Sequence, residues 1–178
     1  MRSRYMDAEA ADFARFYAES RDDCLRTVLA SIGDLDRAKD LVDEAFARAW
    51  ASWRKVRRHP APRAWIVRTA LNAGVSAWRH RRREVRLGDA APPADVTAGG
   101  LVDRDIMAAL LRLPQRQRQV IALRLFLDLD TAGTAELLGI APGTVTTHLA
   151  RAMATLREEL APAHEEPNSF GEGTGVRT

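Results

Sequence analysis

Apolar residues recur at helical spacing along most of this chain, and no stretch alternates between apolar and polar residues as a half-buried strand would. The most regular stretch, from Asp36 to about Lys55, repeats apolar side chains at i, i+3, i+4 and i+7: Ala38, Leu41, Val42, Ala45, Phe46, Ala49, Trp50 and Trp53. Helices are also predicted from about Ala8 to Ile32 and from Pro62 to about Val85. The sequence therefore predicts an all-α fold.

A composition break divides the chain into two parts. Residues 87–100, LGDAAPPADVTAGG, are rich in Ala, Pro, Gly and Asp and have no helical period, which is typical of a linker. Coiled, the linker would hold its ends about 20 Å apart; drawn out, it would reach roughly 45 Å. We therefore predict two small helical lobes, residues 8–86 and 101–161, joined by a flexible linker and followed by a polar, disordered tail, residues 162–178.

The second lobe has the spacing of four shorter helices, and a tight turn separates the last two. In the stretch LLGIAPGTV, Gly139 is suited to end one helix because glycine accepts positive φ without a Cβ penalty. Pro142 is suited to begin the next helix, which runs to about Leu160. A helix, a tight glycine turn and a second helix form the pattern of a helix-turn-helix motif.

The helix that begins at Pro142 has two distinct faces. One face is apolar: Val145, Leu149, Ala152 and Leu156. The opposite face is polar: Thr144, Thr147, His148 and Arg151. A DNA major groove admits a helix that carries such hydrogen-bonding groups. An amphipathic helix of an ordinary bundle has the same spacing, so the pattern alone leaves both interpretations open.

Composition and motifs argue against several other functions. The net charge is only +3, so any nucleic-acid contact must come from local clusters of basic residues. A single cysteine, Cys24, cannot build a disulfide framework or a cysteine zinc site and is interpreted as structural. The four histidines form no HExxH pair, and neither a phosphate loop nor a GxSxG elbow occurs. We therefore expect no enzymatic activity, catalytic residue, metal or cofactor. Without a signal peptide or an apolar span, a cytoplasmic protein with no membrane insertion is expected.

Four motifs in one order resemble a single family. DLVDEAFARAW (residues 40–50), PRAWIVRTALNAGVSAWRHRRRE (62–84), LPQRQRQVIALRLFLDL (113–129) and the helix-turn-helix follow one another over about residues 12–160. Together they resemble a group IV, or extracytoplasmic-function, sigma factor of the sigma-70 family. The stretch TVTTHLARAMATLR, with FLDL before the motif, is most similar to an actinobacterial subgroup.

The resemblance implies a factor that directs transcription initiation. It would bind core RNA polymerase through the beta-prime coiled coil and the beta flap, recognise the -35 and -10 promoter elements, and melt the -10 DNA. Many members of the family are held by an anti-sigma protein, so such a partner is also expected. In the family the first lobe is region 2 and the second lobe is region 4.

The resemblance assigns the polymerase contact to one segment of the first lobe: Asp40, Leu41, Asp43, Glu44 and Phe46. The apolar period places Leu41 and Phe46 on or near the buried stripe and leaves the acidic residues off it. An ordinary solvated face would carry the same acidic residues, so the pattern alone does not decide their role.

The -10 element would be bound by the loop KVRRHPAP and the helix after it: Arg57, Arg58, His59, Asn72, Ser76, Trp78 and Arg79. Basic grooves and aromatic stacking hold single-stranded DNA. The run Arg79–Arg83 is suited to phosphates, although it would equally suit a helix C-terminus. Trp65 is predicted to be in the core, because it shares a stripe with Ile66 and Ala70.

The -35 element would be read by the last helix through five residues: Thr144, Thr146, Thr147, His148 and Arg151. Two of these positions commonly carry basic residues in the family, yet here they are Thr146 and His148. Ala141 also stands where a serine N-cap is common, at a cost of about 0.5–2 kcal/mol. We therefore predict weaker phosphate anchoring than is usual in the family.

Two other functions fit parts of the pattern. A stand-alone helix-turn-helix regulator would bind duplex DNA without polymerase and would leave the acidic segment from Asp40 to Phe46 without a partner. A sigma-like decoy would trap an anti-sigma protein and would explain the atypical last helix.

Overall fold

Local sequence signals set the helix ends. The computed structural model describes residues 2–84 and 100–161, and within these ranges it does not describe the side chains of residues 2–5 and 75–84. The described residues form helices and contain no strand: α1 (Arg2–Ile32), α2 (Leu35–Ala51), α3 (Trp53–Val56), α4 (Pro62–Glu84), α5 (Arg104–Arg112), α6 (Gln115–Phe126), α7 (Thr131–Leu138) and α8 (Pro142–Glu159). The prediction of an all-α fold with two helical lobes is confirmed. The predicted linker, apart from Gly100, and the predicted tail 162–178 lie outside the described residues.

Aspartate side chains cap three of the helices. Asp34 accepts a hydrogen bond from the Arg37 backbone N–H at 3.0 Å and so begins α2. Asp103 caps α5 in the same way, and Asp130 caps α7 by accepting from the Gly133 N–H at 2.7 Å. Each cap satisfies backbone donors that have no partner within the helix.

The first lobe packs α1, α2 and α4 around one core, with α3 at its edge. Helix α4 comes close to α2 at Gly74, where an added Cβ would lie 3.1 Å from Leu41 Cδ1. The Arg37 side chain donates a hydrogen bond to the Gly74 carbonyl at 2.8 Å. At the other end of α2, aromatic rings of α1 pack against Phe46 and Trp53. The apolar period of α2 is therefore buried as the sequence predicted, except that Trp50 remains 43% exposed.

The two lobes also pack against each other. Nearly every side chain of α1 from Cys24 to Ser31 is buried, because α2 and α4 cover one side of this helix and α6 covers another. Arg118 of α6 donates through Nε to the Ser31 carbonyl and through Nη1 to the Leu111 carbonyl, each at 3.2 Å. Burial lowers the pKa of the Arg118 guanidinium. The flexible linker predicted from the sequence gave no indication of this packing.

Cys24 is a core residue of the first lobe. Its thiol is fully buried, and its sulfur lies 3.9 Å from the Arg63 carbonyl oxygen, to which it donates. Burial raises the pKa of Cys24 to about 12. The side chain therefore remains a thiol at neutral pH, which fits the structural role expected from the sequence.

No helix in the described ranges is long and apolar enough to cross a membrane. In the same ranges, no three metal-ligating side chains come together in a group that could hold an ion.

Gly139→Ala is expected to lower the free energy of unfolding by about 1–2 kcal/mol, because Gly139 ends α7 in the left-handed region with φ 64°. Space is not the cause, since an added Cβ at Gly139 would have no atom within 4 Å. Gly143→Ala in α8 is the matched control: it is equally unobstructed and lies inside a helix, so it should be neutral or stabilising by up to about 1 kcal/mol. Urea unfolding of the two variants measures the difference. Equal changes in the free energy of unfolding for the two variants would contradict the interpretation that positive φ at Gly139 requires glycine.

Candidate nucleic-acid interface

The turn between α7 and α8 holds α8 at the surface. Gly139 adopts the αL conformation, and its N–H and that of Ile140 bond back to carbonyls of α7. Helix α8 then begins at Pro142 with Ala141 as N-cap, and no side chain caps it. The absent cap is the departure predicted from the sequence. Val145 and Ala152 of α8 are fully buried, and Val145 packs against Val120 and Ala135.

The opposite face of α8 is open to solvent. Thr144, Thr146, Thr147 and Arg151 are all exposed, and no ion pair within the described ranges engages Arg151. The Thr146 hydroxyl donates to the Pro142 carbonyl at 3.3 Å, and the Thr147 hydroxyl donates to the Gly143 carbonyl at 3.0 Å. Since these hydroxyl protons point back to the helix, the two oxygens face outward as acceptors, which suits amino groups on base edges.

His148 occupies a less accessible position than the threonines. Its side chain is half-buried, and its Nδ1 is buried without a hydrogen-bond partner in the described ranges. Only part of the imidazole therefore faces outward. The exposed polar face of α8 therefore carries Arg151, Thr144 and Thr147, and Thr146 is exposed beside it.

The predicted -10 loop carries a cluster of positive charge. Arg57, Arg58 and His59 are exposed between α3 and α4, and the His59 Nδ1 accepts from the Ala61 N–H at 3.0 Å. Among the described residues, the one side-chain partner of Arg57 is Asp12, in an exposed ion pair of 3.6 Å, and exposed ion pairs contribute little to stability in water. The loop is therefore free to meet phosphates.

Two further basic residues, Arg54 and Lys55 of α3, are exposed next to this loop, and sequence reasoning did not single them out as DNA contacts. They line a cavity of about 470 Å³ together with the half-exposed Trp50. The available signal was the basic run that Arg54 and Lys55 make with Arg57 and Arg58, since Lys55 is the first residue of the predicted loop KVRRHPAP. Trp50 was missed because its position in the apolar stripe predicted burial.

Helix α4 carries the remaining residues that were predicted to contact the -10 element. Asn72 is exposed on it. The backbone of Ser76, Trp78 and Arg79 is part of α4, but the structure does not describe their side chains. Trp65 is half-buried and packs against the core, as predicted.

The second lobe lies against the start of α4. A small cavity of about 70 Å³ is lined on one side by residues of the loop and α4, including His59 and Trp65. The other side is lined by Leu129, Glu136 and Leu137, in and just before α7. In this arrangement, the helix-turn-helix lobe partly covers the segment predicted to bind melted DNA.

The exposed side of α2 is acidic. Asp40, Asp43 and Glu44 are exposed, whereas Leu41 is 7% and Phe46 is 2% exposed. Asp43 lies 3.9 Å from Arg21, and Glu44 pairs with Arg48 one helical turn away at 2.6 Å. No ion pair in the described ranges involves Asp40. Leu41 and Phe46 hold α2 to the core, so only the acidic residues of this segment form its surface.

Comparison with known proteins gives a consistent result. Residues 16–84 match the model of sigma-70 region 2, and residues 103–156 match that of sigma-70 region 4. The chain is 32% identical over 155 residues to the RNA polymerase sigma-E factor of Streptomyces coelicolor, covering 85% of this chain and 88% of that protein. It is also 32% identical over 160 residues to the ECF RNA polymerase sigma factor SigL of Mycobacterium tuberculosis, covering 84% and 89%.

A solved structure extends the likeness to three dimensions. The sigma factor RpoE of Bartonella quintana, in complex with the anti-sigma factor NepR, matches with a TM-score of 0.67 and 26% identity, over 84% of this chain and 96% of that one. The chain belongs to the sigma-70 family and is an extracytoplasmic-function RNA polymerase sigma factor. The family resemblance predicted from the order of the motifs is confirmed.

Proposed function

We propose that this sigma factor reads the -35 element with α8, binds and melts the -10 element with the loop before α4, and docks on core polymerase through the acidic surface of α2. The observation that carries the proposal is that three separate exposed surfaces occur in the order found in the family: acidic on α2, basic on the α3–α4 loop and polar on α8. Residues 8–86 would act as region 2 and residues 101–161 as region 4.

The -35 contact is supported by the exposure of the α8 polar face. Arg151 supplies a guanidinium that can bond a guanine edge or a phosphate, and the hydroxyl oxygens of Thr146 and Thr147 can accept from bases. With Thr146 and His148 in place of basic residues, fewer phosphates are neutralised. We therefore propose a -35 contact with a shallow salt dependence.

The -10 contact is supported by the exposed basic loop. Arg57, Arg58 and His59 can hold the backbone of a single strand, and Asn72 on α4 can bond to an unstacked base. Ser76, Trp78 and Arg79 remain part of this proposal on the family pattern alone. Because α7 lies against the start of α4, the lobes must separate before a strand can reach the side of His59 that faces α7.

The partners follow from the same surfaces. The acidic α2 surface would meet the beta-prime coiled coil, and the second lobe would meet the beta flap. The related RpoE of Bartonella quintana is bound by the anti-sigma factor NepR, so we also propose an anti-sigma partner. The chain would direct polymerase without catalysing a reaction of its own, and it would act in the cytoplasm.

Mixing the purified chain with core RNA polymerase tests the function directly. Co-elution together with open-complex formation on a promoter library would support initiation and would identify the DNA motif. Co-elution without melting would favour a sigma-like decoy. Duplex binding without co-elution would favour a stand-alone regulator.

Arg151→Ala is expected to weaken binding to the -35 element by about 1–3 kcal/mol. Arg151 is exposed on the polar face of α8, where its guanidinium can meet base edges or phosphates. Arg157→Ala is the matched control, because it removes the same charge from a different side of the same helix, more than one turn further along, and should change binding much less. A mobility-shift assay at fixed salt measures both variants. Equal binding by the two variants would exclude Arg151 as a -35 contact.

A further inference from the structure

An apolar groove of about 730 Å³ lies on the second lobe, between α5, α6 and α8. Large apolar side chains in its walls are open to solvent: Leu125 is 60%, Leu160 is 43% and Met153 is 37% exposed. On α8 the groove residues Leu149, Met153 and Leu156 lie on the side away from Thr144, Thr147 and Arg151, whereas Thr146 is on the same side as Met153. None of the five predicted -35 residues lines the groove. A contiguous apolar surface of this kind marks a binding site.

Positive charge borders the groove. Arg124 and Arg157 both line it, and no ion pair within the described ranges engages either guanidinium. The Arg124 Nη1 donates to the Leu129 carbonyl, which fixes this side chain at the groove. The groove therefore suits an apolar anchor flanked by acidic residues.

We propose that residues 162–178 of the same chain occupy this groove, with Phe170 as the anchor. The segment PAHEEPNSFGEGTGVRT follows directly on Leu160 and Ala161, which themselves line the groove. Phe170 is its one aromatic residue. An aromatic ring buries a large apolar area at a small cost in conformational entropy, so it is the best anchor that this segment offers.

The charges of the segment complement the groove. Its acidic residues, opposite in sign to Arg124 and Arg157, stand on both sides of the anchor: Glu165, Glu166 and Glu172. Phe170 is nine positions beyond Ala161, so an extended connection spans at most about 30 Å and reaches the groove easily. A short tether gives an effective concentration in the millimolar range, so even a weak contact is well populated. Bound in this way, the segment hides the apolar walls of the groove from solvent.

Methyl NMR of the 178-residue chain labelled at its methionines tests this contact. If Phe170 lies in the groove, its ring displaces the Met153 methyl signal, and Phe170→Ala removes that displacement. Met107, which is 1% exposed in the core, is the internal control and should not move. Reversing two charges with Glu165→Lys and Glu166→Lys should reduce the displacement of the Met153 signal. In the parent chain this displacement should not depend on protein concentration.

Identical Met153 signals in the parent chain and in Phe170→Ala would overturn the proposal. A displacement that survives Phe170→Ala and grows with protein concentration would also overturn it, since it would indicate a second copy of the chain in the groove. The readout uses the chain alone, so it is valid whether or not the chain binds polymerase.

Discussion

Phe46→Ala is expected to lower the free energy of unfolding by about 3–5 kcal/mol. Phe46 is 2% exposed, and its ring centroid lies 4.8 Å from that of Tyr17, 5.9 Å from Phe16 and 6.4 Å from Phe13. The substitution removes a ring from the centre of this cluster and leaves a cavity where α1 meets α2. Urea unfolding followed by tryptophan fluorescence measures the loss.

The matched control is Arg48→Ala, two residues further along α2. It removes only an exposed ion pair with Glu44 and should change stability by less than about 1 kcal/mol. Phe46→Leu should retain more stability than Phe46→Ala, because it fills most of the volume. If Phe46→Ala instead left stability unchanged and abolished polymerase binding, Phe46 would be a direct contact, as the family pattern implies.

Local signals in the sequence were sufficient to predict the helices and the helix-turn-helix motif. The apolar period of α2 and the pair of Gly139 and Pro142 depend on residues within a few positions of each other, so periodicity and turn chemistry reveal them. Two boundaries were wrong: α1 begins at Arg2 instead of about Ala8, and the helix predicted to run to Lys55 ends at Ala51, with α3 beginning at Trp53. The Trp53 indole N–H donates a hydrogen bond to Asp12 at 3.0 Å. These residues are 41 positions apart, so no local sequence pattern could predict the contact.

The packing of the lobes is the least predictable feature from the sequence. It depends on contacts such as that between Arg118 and the Ser31 carbonyl, 87 positions apart. A linker rich in Pro and Gly permits many arrangements, so its composition cannot indicate which one the lobes adopt.

For the candidate site, the sequence placed the acidic residues of α2 and the threonines of α8 on exposed faces, because the helical period separates the two sides of each helix. Their assignment to polymerase and promoter came from the order of the family motifs. The partial burial of His148 was not predictable, since it depends on how α8 packs on the lobe.

Asp40→Arg is expected to weaken binding to core RNA polymerase by about 3 kcal/mol, or roughly a hundredfold. Asp40 is exposed on α2, and no ion pair in the described ranges occupies it, so its carboxylate is available to a basic partner. A reversed charge at such an interface replaces an attraction with a repulsion, which costs more than truncation to alanine. Titration of labelled chain with core polymerase, without DNA, gives the affinity.

Asp7→Arg is the control for the change in net charge. Asp7 is exposed near the start of α1, next to Met6, which lines a cavity with Trp50 at the far end of α2 from Asp40. Because the two variants alter net charge equally, long-range steering changes similarly in both. A large loss with Asp40→Arg alone would therefore locate the polymerase contact on the acidic surface of α2. Equal losses of affinity in the two variants would show that the effect comes from net charge alone. The acidic surface of α2 would then have no partner, as expected of a stand-alone regulator.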